Sequence, residues 1–478
     1  MNESNPTAVS TGIDGLNEIL RGGLPAANLH LMQGEPGVGK TTAALQFLMA
    51  GVANGERCLY VTLSQTKAEL EAIAASHGWS LEGIRIEELA ASDVVASAAD
   101  QTIFQTADLR LDETRLAVER AIDEHKPHRI VYDSLLEIRL LSGDPPSFRR
   151  ELMGLKAFLA QREIIALLLD TPTNGSSGNS EIEALAHGVI CFTKENDEYG
   201  TTRRRIEVSK MRGVPVADGY HDMAIREGEG IVVYPRIVPR TVADEGKPHL
   251  IKSGVEALDE MFGGGQEAGT TTLVIGQSGT GKSTMASLYA TAALERGEDV
   301  ALFLFEERQE TFLRRSGGLG MDLRQYHENG RLLLRDFNPN EVSPGEFAQI
   351  VQGIIDEGKT RVVVIDSFTG YINSLPMRHK AVQDIQSLLK YLARAGVLTM
   401  LIVAQHGLLG ENMGTDIDVS FLGDTVLFLR LQESEGSLRR TITVVKKRHG
   451  PHLMQVQELI IDSSGVQVLS FNPLPDVG

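Results

Sequence analysis

Gly34-Glu35-Pro36-Gly37-Val38-Gly39-Lys40-Thr41 returns 242 residues later as Gly276-Gln277-Ser278-Gly279-Thr280-Gly281-Lys282-Ser283. Each octet stands between an apolar, strand-like run and an amphipathic, helix-like stretch, the setting a phosphate-binding loop requires. Glycines let successive backbone N–H groups turn inward around an anion, and the helix that follows adds its positive end. The pattern therefore predicts two sites for ATP and Mg²⁺. Gly37, Gly39, Gly279 and Gly281 shape the cradles, Lys40 and Lys282 contact the outer phosphates, and Thr41 and Ser283 ligate the metal. Thr42 and Thr284, next in sequence, are counted with the nucleotide-binding residues.

The repetition extends outward from the loops. Gly12, Leu16, Glu18, Gly22 and Gly23 recur at the same offset as Gly254, Leu258, Glu260, Gly264 and Gly265. HRIVYDS with Asp133 matches TRVVVIDS with Asp366, and IEVSKMRG matches ITVVKKRH. Four landmarks in one order mean a tandem duplication. The length of 478 residues suggests about three domains at roughly 150 residues each, and the repeat reduces that to two. RIVPRTVADEGKPHL, with its prolines and charges and no apolar period, predicts a linker over 235–250 between domains 1–234 and 251–478. Short β-branched runs alternate with longer amphipathic stretches in each half. The expected fold is α/β, two tandem P-loop domains with mainly parallel sheets flanked by helices. The end of each half reads as strands joined by turns, which predicts antiparallel strands at one sheet edge.

Asp133 and Asp366 each close an apolar strand, where a carboxylate can hold Mg²⁺ directly or through water. The halves differ at their second strand. VALFLFEER ends in Glu306 and Glu307, suited to deprotonating a water or hydroxyl, whereas CLYVTLSQT has Ser64 and Gln65, which predicts weak or absent hydrolysis in the first half. Lys210 with Arg212, and Lys446 with Arg448, sit two apart on strand-like segments, so each pair faces one way. Such pairs form either a solvated edge or a contact with a neighbouring subunit's γ-phosphate in trans, and their repetition favours the second. Gln405, ending LTMLIVAQ, stands where a γ-phosphate sensor or a turn residue would.

A formal charge of −18 opposes a large nucleic-acid footprint. The basic stretches at Arg203–Arg205 and Lys446-Lys447-Arg448 both read as ends of strands. No apolar run approaches a membrane span, the N-terminal residues lack signal-peptide features, and Cys58 and Cys191 read as buried thiols. A cytoplasmic protein is expected, with no membrane partner and nucleic acid disfavoured.

STGIDGLNEILRGGLP, GEPGVGKT, SHGW around Trp79, SKMRG and FEERQETFLRRSGGLGMD strongly resemble the duplicated RecA-like ATPases of the KaiC family, over nearly the whole chain. The resemblance implies a homo-hexamer of two stacked rings, ATP between adjacent subunits, slow hydrolysis and autokinase activity in the C-terminal ring. It places the catalytic glutamates on Glu306 and Glu307. It also places the phosphorylated segment on GTDIDVSFLGDTVLFLR: Thr415 and Asp416 match, Ser420 matches the serine acceptor, and Phe421 replaces the adjacent threonine. One phosphorylation site is therefore expected rather than two. The chain stops at Gly478, whereas clock members extend further to bind an activator. The implied partner is an unidentified signalling protein, with stress or light signalling as open as a clock. Two other readings are a nucleotide-gated hexameric scaffold and a RecA-type DNA-dependent ATPase.

Overall fold

The computed structural model describes residues 8–89, 103–142, 144–172, 178–195, 202–237, 249–375, 378–405, 419–434 and 437–471. The chain separates into two compact units, Met1–Arg236 and Ile237–Gly478. The first contains β1 (Leu29–Gly34), β2 (Cys58–Thr62), β3 (Ile84–Glu88), β4 (Arg129–Asp133), β5 (Ile165–Asp170), β6 (Gly188–Glu195), β7 (Arg203–Met211), β8 (Tyr220–Arg226) and β9 (Gly230–Tyr234). They form a single sheet in the order β3-β2-β4-β5-β1-β6-β7-β8-β9. Pairing is parallel from β3 to β6 and antiparallel from there to β9.

The second unit repeats this plan strand for strand. Its strands are β10 (Thr271–Gly276), β11 (Asp299–Leu304), β12 (Leu332–Asp336), β13 (Thr360–Asp366), β14 (Leu398–Ala404), β15 (Thr425–Ser434), β16 (Ser437–Lys447), β17 (Gln457–Asp462) and β18 (Gly465–Ser470). The order is β12-β11-β13-β14-β10-β15-β16-β17-β18, again parallel and then antiparallel. The doubled α/β reading and its antiparallel edges are what the structure has.

Helices cover both faces, and this is why the central strands read as unbroken apolar runs. In the first unit α1 (Lys40–Ala53) buries Ala43, Ala44, Phe47 and Leu48 against Met32, Tyr60, Val131 and Leu167. The opposite face carries Leu31, Leu59, Ile130 and Leu168. Over it lie α3 (Ile103–His125), α4 (Leu135–Ser142) and α5 (Pro145–Ala160), contributing Ile122, Ile138 and Phe148. The short α2 (Lys67–Ser76), which follows β2, begins on a reciprocal cap between Thr66 and Glu69. A further helix, α6 (Gly178–Leu185), precedes β6. In the second unit α7 (Lys282–Glu295) takes the place of α1, α8 (Gln309–Gly317) that of α2, α9 (Pro344–Asp356) that of α3 and α10 (Phe368–Asn373) that of α4.

Two expectations change. Arg203–Arg205 open β7 rather than closing a strand, and Arg205 pairs with Glu195 at 3.2 Å and Asp222 at 3.3 Å, so acidic neighbours on β6 and β8 already occupy it. Ile237, inside the expected linker, is buried in the second unit's core beside Phe347 and Ile365. An apolar side chain there gains more from packing than from solvent. Most of the rest of that segment lies outside the described residues.

Candidate functional site

Both glycine loops leave the carboxyl end of the central strand, β1 or β10, and run into α1 or α7. Gly37, Gly39, Gly279 and Gly281 have φ of 75°, 112°, 79° and 100°, the left-handed region that favours glycine. A Cβ on Gly281 would lie 2.3 Å from Ile461 Cδ1, and one on Gly39 would lie 2.7 Å from Ile231 Cδ1. The antiparallel edge thus presses on each loop from outside. Lys40 Nζ donates to the carbonyls of Gly34 and Glu35, and Lys282 Nζ to that of Gln277 at 2.7 Å. Burial lowers both lysine pKa values, while nearby carboxylates, Asp133 and Asp170 for Lys40 and Asp366 and Glu306 for Lys282, oppose the shift. Thr42 and Thr284 are buried in the first helical turn.

Asp133 and Asp366 end the strands two places from the loop strand, as expected. Asp133 accepts a hydrogen bond from Tyr60 Oη at 2.6 Å and one from Thr41, and Asp366 bonds Ser283. Burial raises both carboxyl pKa values. A hydroxyl and a carboxylate brought together at the mouth of a phosphate loop are hard oxygen donors that suit Mg²⁺, with phosphate oxygens completing its shell. Tyr60 has no counterpart in the second unit, where Leu302 takes its place.

The two ends of the second strand align closely: Leu63 N donates to Asp133 O, and Phe305 N to Asp366 O, each at 2.7 Å. Ser64 therefore stands where Glu306 does, and Gln65 where Glu307 does. The two glutamates are in different situations. Glu307 is held by Arg315, at 2.8 Å and 3.3 Å. Glu306 is exposed, and among the described residues no hydrogen bond engages it, yet its charge reaches Lys282 and Asp366. Its carboxylate covers Gly370, where an added Cβ would lie 2.5 Å from Glu306 Oε1.

Reasoning from motifs missed the residue facing this point in the first unit. Glu137, on α4, stands where Gly370 stands on α10, and it accepts a hydrogen bond from Ser134 Oγ at 2.5 Å. Two residues on, Arg139 pairs at 2.8 Å with Asp170, which is 1% exposed. Only the distance of Glu137 and Arg139 from Asp133 along the chain, four and six residues, marked them in the sequence.

The basic pairs occupy the other end of the sheet. Lys446 Nζ donates to the carbonyls of Ser420 at 3.0 Å and Gly423 at 2.8 Å, and Arg448 to Asp424 at 3.2 Å and to Phe421 O. Lys210 donates to Glu183, Ala184 and Ala186 carbonyls, and Arg212, just past β7, to that of Ala184. These pairs are therefore not a freely solvated edge, because they close the carbonyl-rich turns that lead into β6 and β15. Lys446 is paired with Val426, at the start of β15, whereas the P-loop follows Gly276 at the end of β10, which pairs with Leu429 midway along β15. Three residues of extended strand put roughly 10 Å between these levels. Ser420 is exposed. Thr415 and Asp416 lie outside the described residues. Gln405 N donates to Gly276 O at 3.1 Å, which sets this residue beside the loop. Cys58 is buried as expected, whereas Cys191 is only half-buried because it sits beside the polar Gln33 and Ser209.

The family model described as ATPase: KaiC matches residues 9–237 and again 251–472. The chain is 27% identical over 465 residues to circadian clock protein KaiC3 of Synechocystis sp., covering 96% of this chain and 91% of that protein. It is 27% identical over 464 residues to circadian clock oscillator protein KaiC of Prochlorococcus marinus subsp. pastoris, covering 96% and 90%. To circadian clock protein KaiC2 of Synechocystis sp. it is 28% identical over 467 residues, covering 96% and 81%.

Proposed function

The chain belongs to the KaiC family of ATPases, and from that premise we propose an oligomeric signalling protein whose second repeat is both ATPase and serine autokinase, acting between subunits. The observation that carries this reading is the placement of Ser420, Lys446 and Arg448 at the opposite end of the sheet from their own P-loop. An acceptor so placed is served by the ATP of a neighbouring copy. In a closed ring each subunit offers its loop to one neighbour and its acceptor to the other.

Gly279, Gly281, Lys282 and Thr284 hold the phosphates, and Ser283 and Asp366 fit Mg²⁺, which when bound neutralises charge on the phosphoryl oxygens. Glu306, lying beside Lys282 and free of Arg315, is the base. It takes the proton of the Ser420 hydroxyl as that oxygen bonds to the γ-phosphorus and the bond to the departing ADP breaks. With water in place of Ser420 the same step is hydrolysis. Lys446 and Arg448 shift from their carbonyl and Asp424 carboxylate partners to the phosphate they meet across the interface. The first repeat, with Gly37, Gly39, Lys40, Thr41, Thr42 and Asp133 for the nucleotide and Lys210 and Arg212 for its neighbour's, serves mainly to bridge subunits into a hexamer. No described helix is long and apolar enough to cross a membrane. The ion pairs of Arg205 and the overall acidity speak against nucleic acid as a partner. The proposed reading includes a cytoplasmic location and a signalling protein as partner.

Ser64 and Gln65 favour one second reading, a nucleotide-gated scaffold without kinase output. Incubation with γ-labelled ATP separates the two. Label on the wild-type chain that is lost in Ser420→Ala supports the autokinase. An unlabelled wild type, or label undiminished in Ser420→Ala, contradicts it.

A further inference from the structure

We propose that Glu137 supplies the first repeat with the catalytic carboxylate that Ser64 lacks, making its ATP site a hydrolytic one. The inference goes beyond the role given above to the first repeat and rests on ATP binding at its loop. It comes from comparing one contact of the second unit with the equivalent positions of the first. In the second unit the strand-end residue is Glu306 and the facing helix residue is Gly370, and the glutamate fills the space a Cβ at 370 would need. In the first unit the strand-end residue is the small Ser64, and the glutamate grows from the helix at 137. The carboxylate has changed the element that carries it while remaining beside the same aspartate.

The two helical turns are built alike. Ser367 caps α10 by accepting from Gly370 N at 3.0 Å, and its counterpart Ser134 donates its hydroxyl to the Glu137 carboxylate. Each glutamate lies close enough to the strand-end aspartate to act on it electrostatically, Glu137 on Asp133 and Glu306 on Asp366. Further along α4, Arg139 is tied to Asp170 on β5 and stacks 5.3 Å from the Phe148 ring centre, which fixes the helix carrying Glu137. A carboxylate positioned beside the strand-end aspartate accepts a proton from water as the water oxygen bonds to the γ-phosphorus. The bond from phosphorus to the bridging oxygen breaks, and ADP and inorganic phosphate leave.

The test uses the full chain with its second repeat silenced by Glu306→Gln and Glu307→Gln. That variant is expected to keep a slow ATP turnover, and adding Glu137→Gln should lower it at least tenfold, with two nucleotides still bound per chain by chromatography of the denatured complex. Moving the carboxylate back, with Ser64→Glu and Glu137→Gly in the same background, should restore turnover, which a merely structural role for Glu137 would not do. Two bound nucleotides with turnover that is absent, or indifferent to Glu137→Gln, overturn the inference alone. A wild-type chain that binds only one nucleotide overturns ATP binding at the first loop as well.

Discussion

Arg139 and Asp170 show how differently two copies of one fold can use equivalent positions. Their counterparts, by the register of the central strands and the offset of the strand-end aspartates, are Ile372 and Val403, both 2% exposed in an apolar core. Asp170 is 1% exposed, and burial raises its pKa against the pull of Arg139. One oxygen of Asp170 and two nitrogens of Arg139 are buried without a hydrogen bond among the described residues. A buried pair of this kind is weak evidence of stability, but removing one partner strands the other charge. Arg139→Ile or Asp170→Val alone should destabilise the chain by about 3 to 5 kcal/mol, read as a lower urea midpoint. The double variant, which copies the second repeat, should recover most of that loss. If it unfolds as early as either single variant, the pair is not interchangeable with apolar packing.

At the scale of elements, the strand-loop-helix unit is shaped by its glycines and by the strands pressing on it. Gly281 and Gly279 both have positive φ, but only Gly281 meets a neighbour, Ile461 of β17. Gly279→Ala should cost about 1 to 2 kcal/mol for its left-handed backbone. Gly281→Ala should cost more, by about 1 to 3 kcal/mol of overpacking, and should weaken ATP binding at the second loop, measured by urea unfolding and nucleotide titration. Equal effects would contradict the close packing. The loops, the strand-end aspartates and the doubled sheet were legible because each rests on a local pattern repeated at a near-constant offset. Glu137 was not, since its meaning depends on its counterpart Gly370 lying under Glu306 in the other repeat. The division between Glu306 and Glu307 was equally hidden, because it turns on Arg315 reaching one of two adjacent carboxylates.

At the scale of the whole molecule, the proposed reading gives two copies of one fold two tasks. The second repeat keeps a free glutamate beside its loop and an exposed serine at the far end of its sheet. The first has lost the strand-end glutamate, gained Glu137 and locked its aspartate to Tyr60. The acidity of the chain and the ion pairs of Arg205 disfavour nucleic acid as a partner, in keeping with the proposed role in assembly. The central claim is this division, assembly through the first loop and phosphoryl transfer to Ser420 by the second. Light-scattering mass of the full chain in ATP, compared between Lys40→Ala and Lys282→Ala, tests it most directly. The account predicts a hexamer for wild type and Lys282→Ala and dissociated chains for Lys40→Ala. A Lys40→Ala hexamer, or dissociation caused by Lys282→Ala instead, would contradict it.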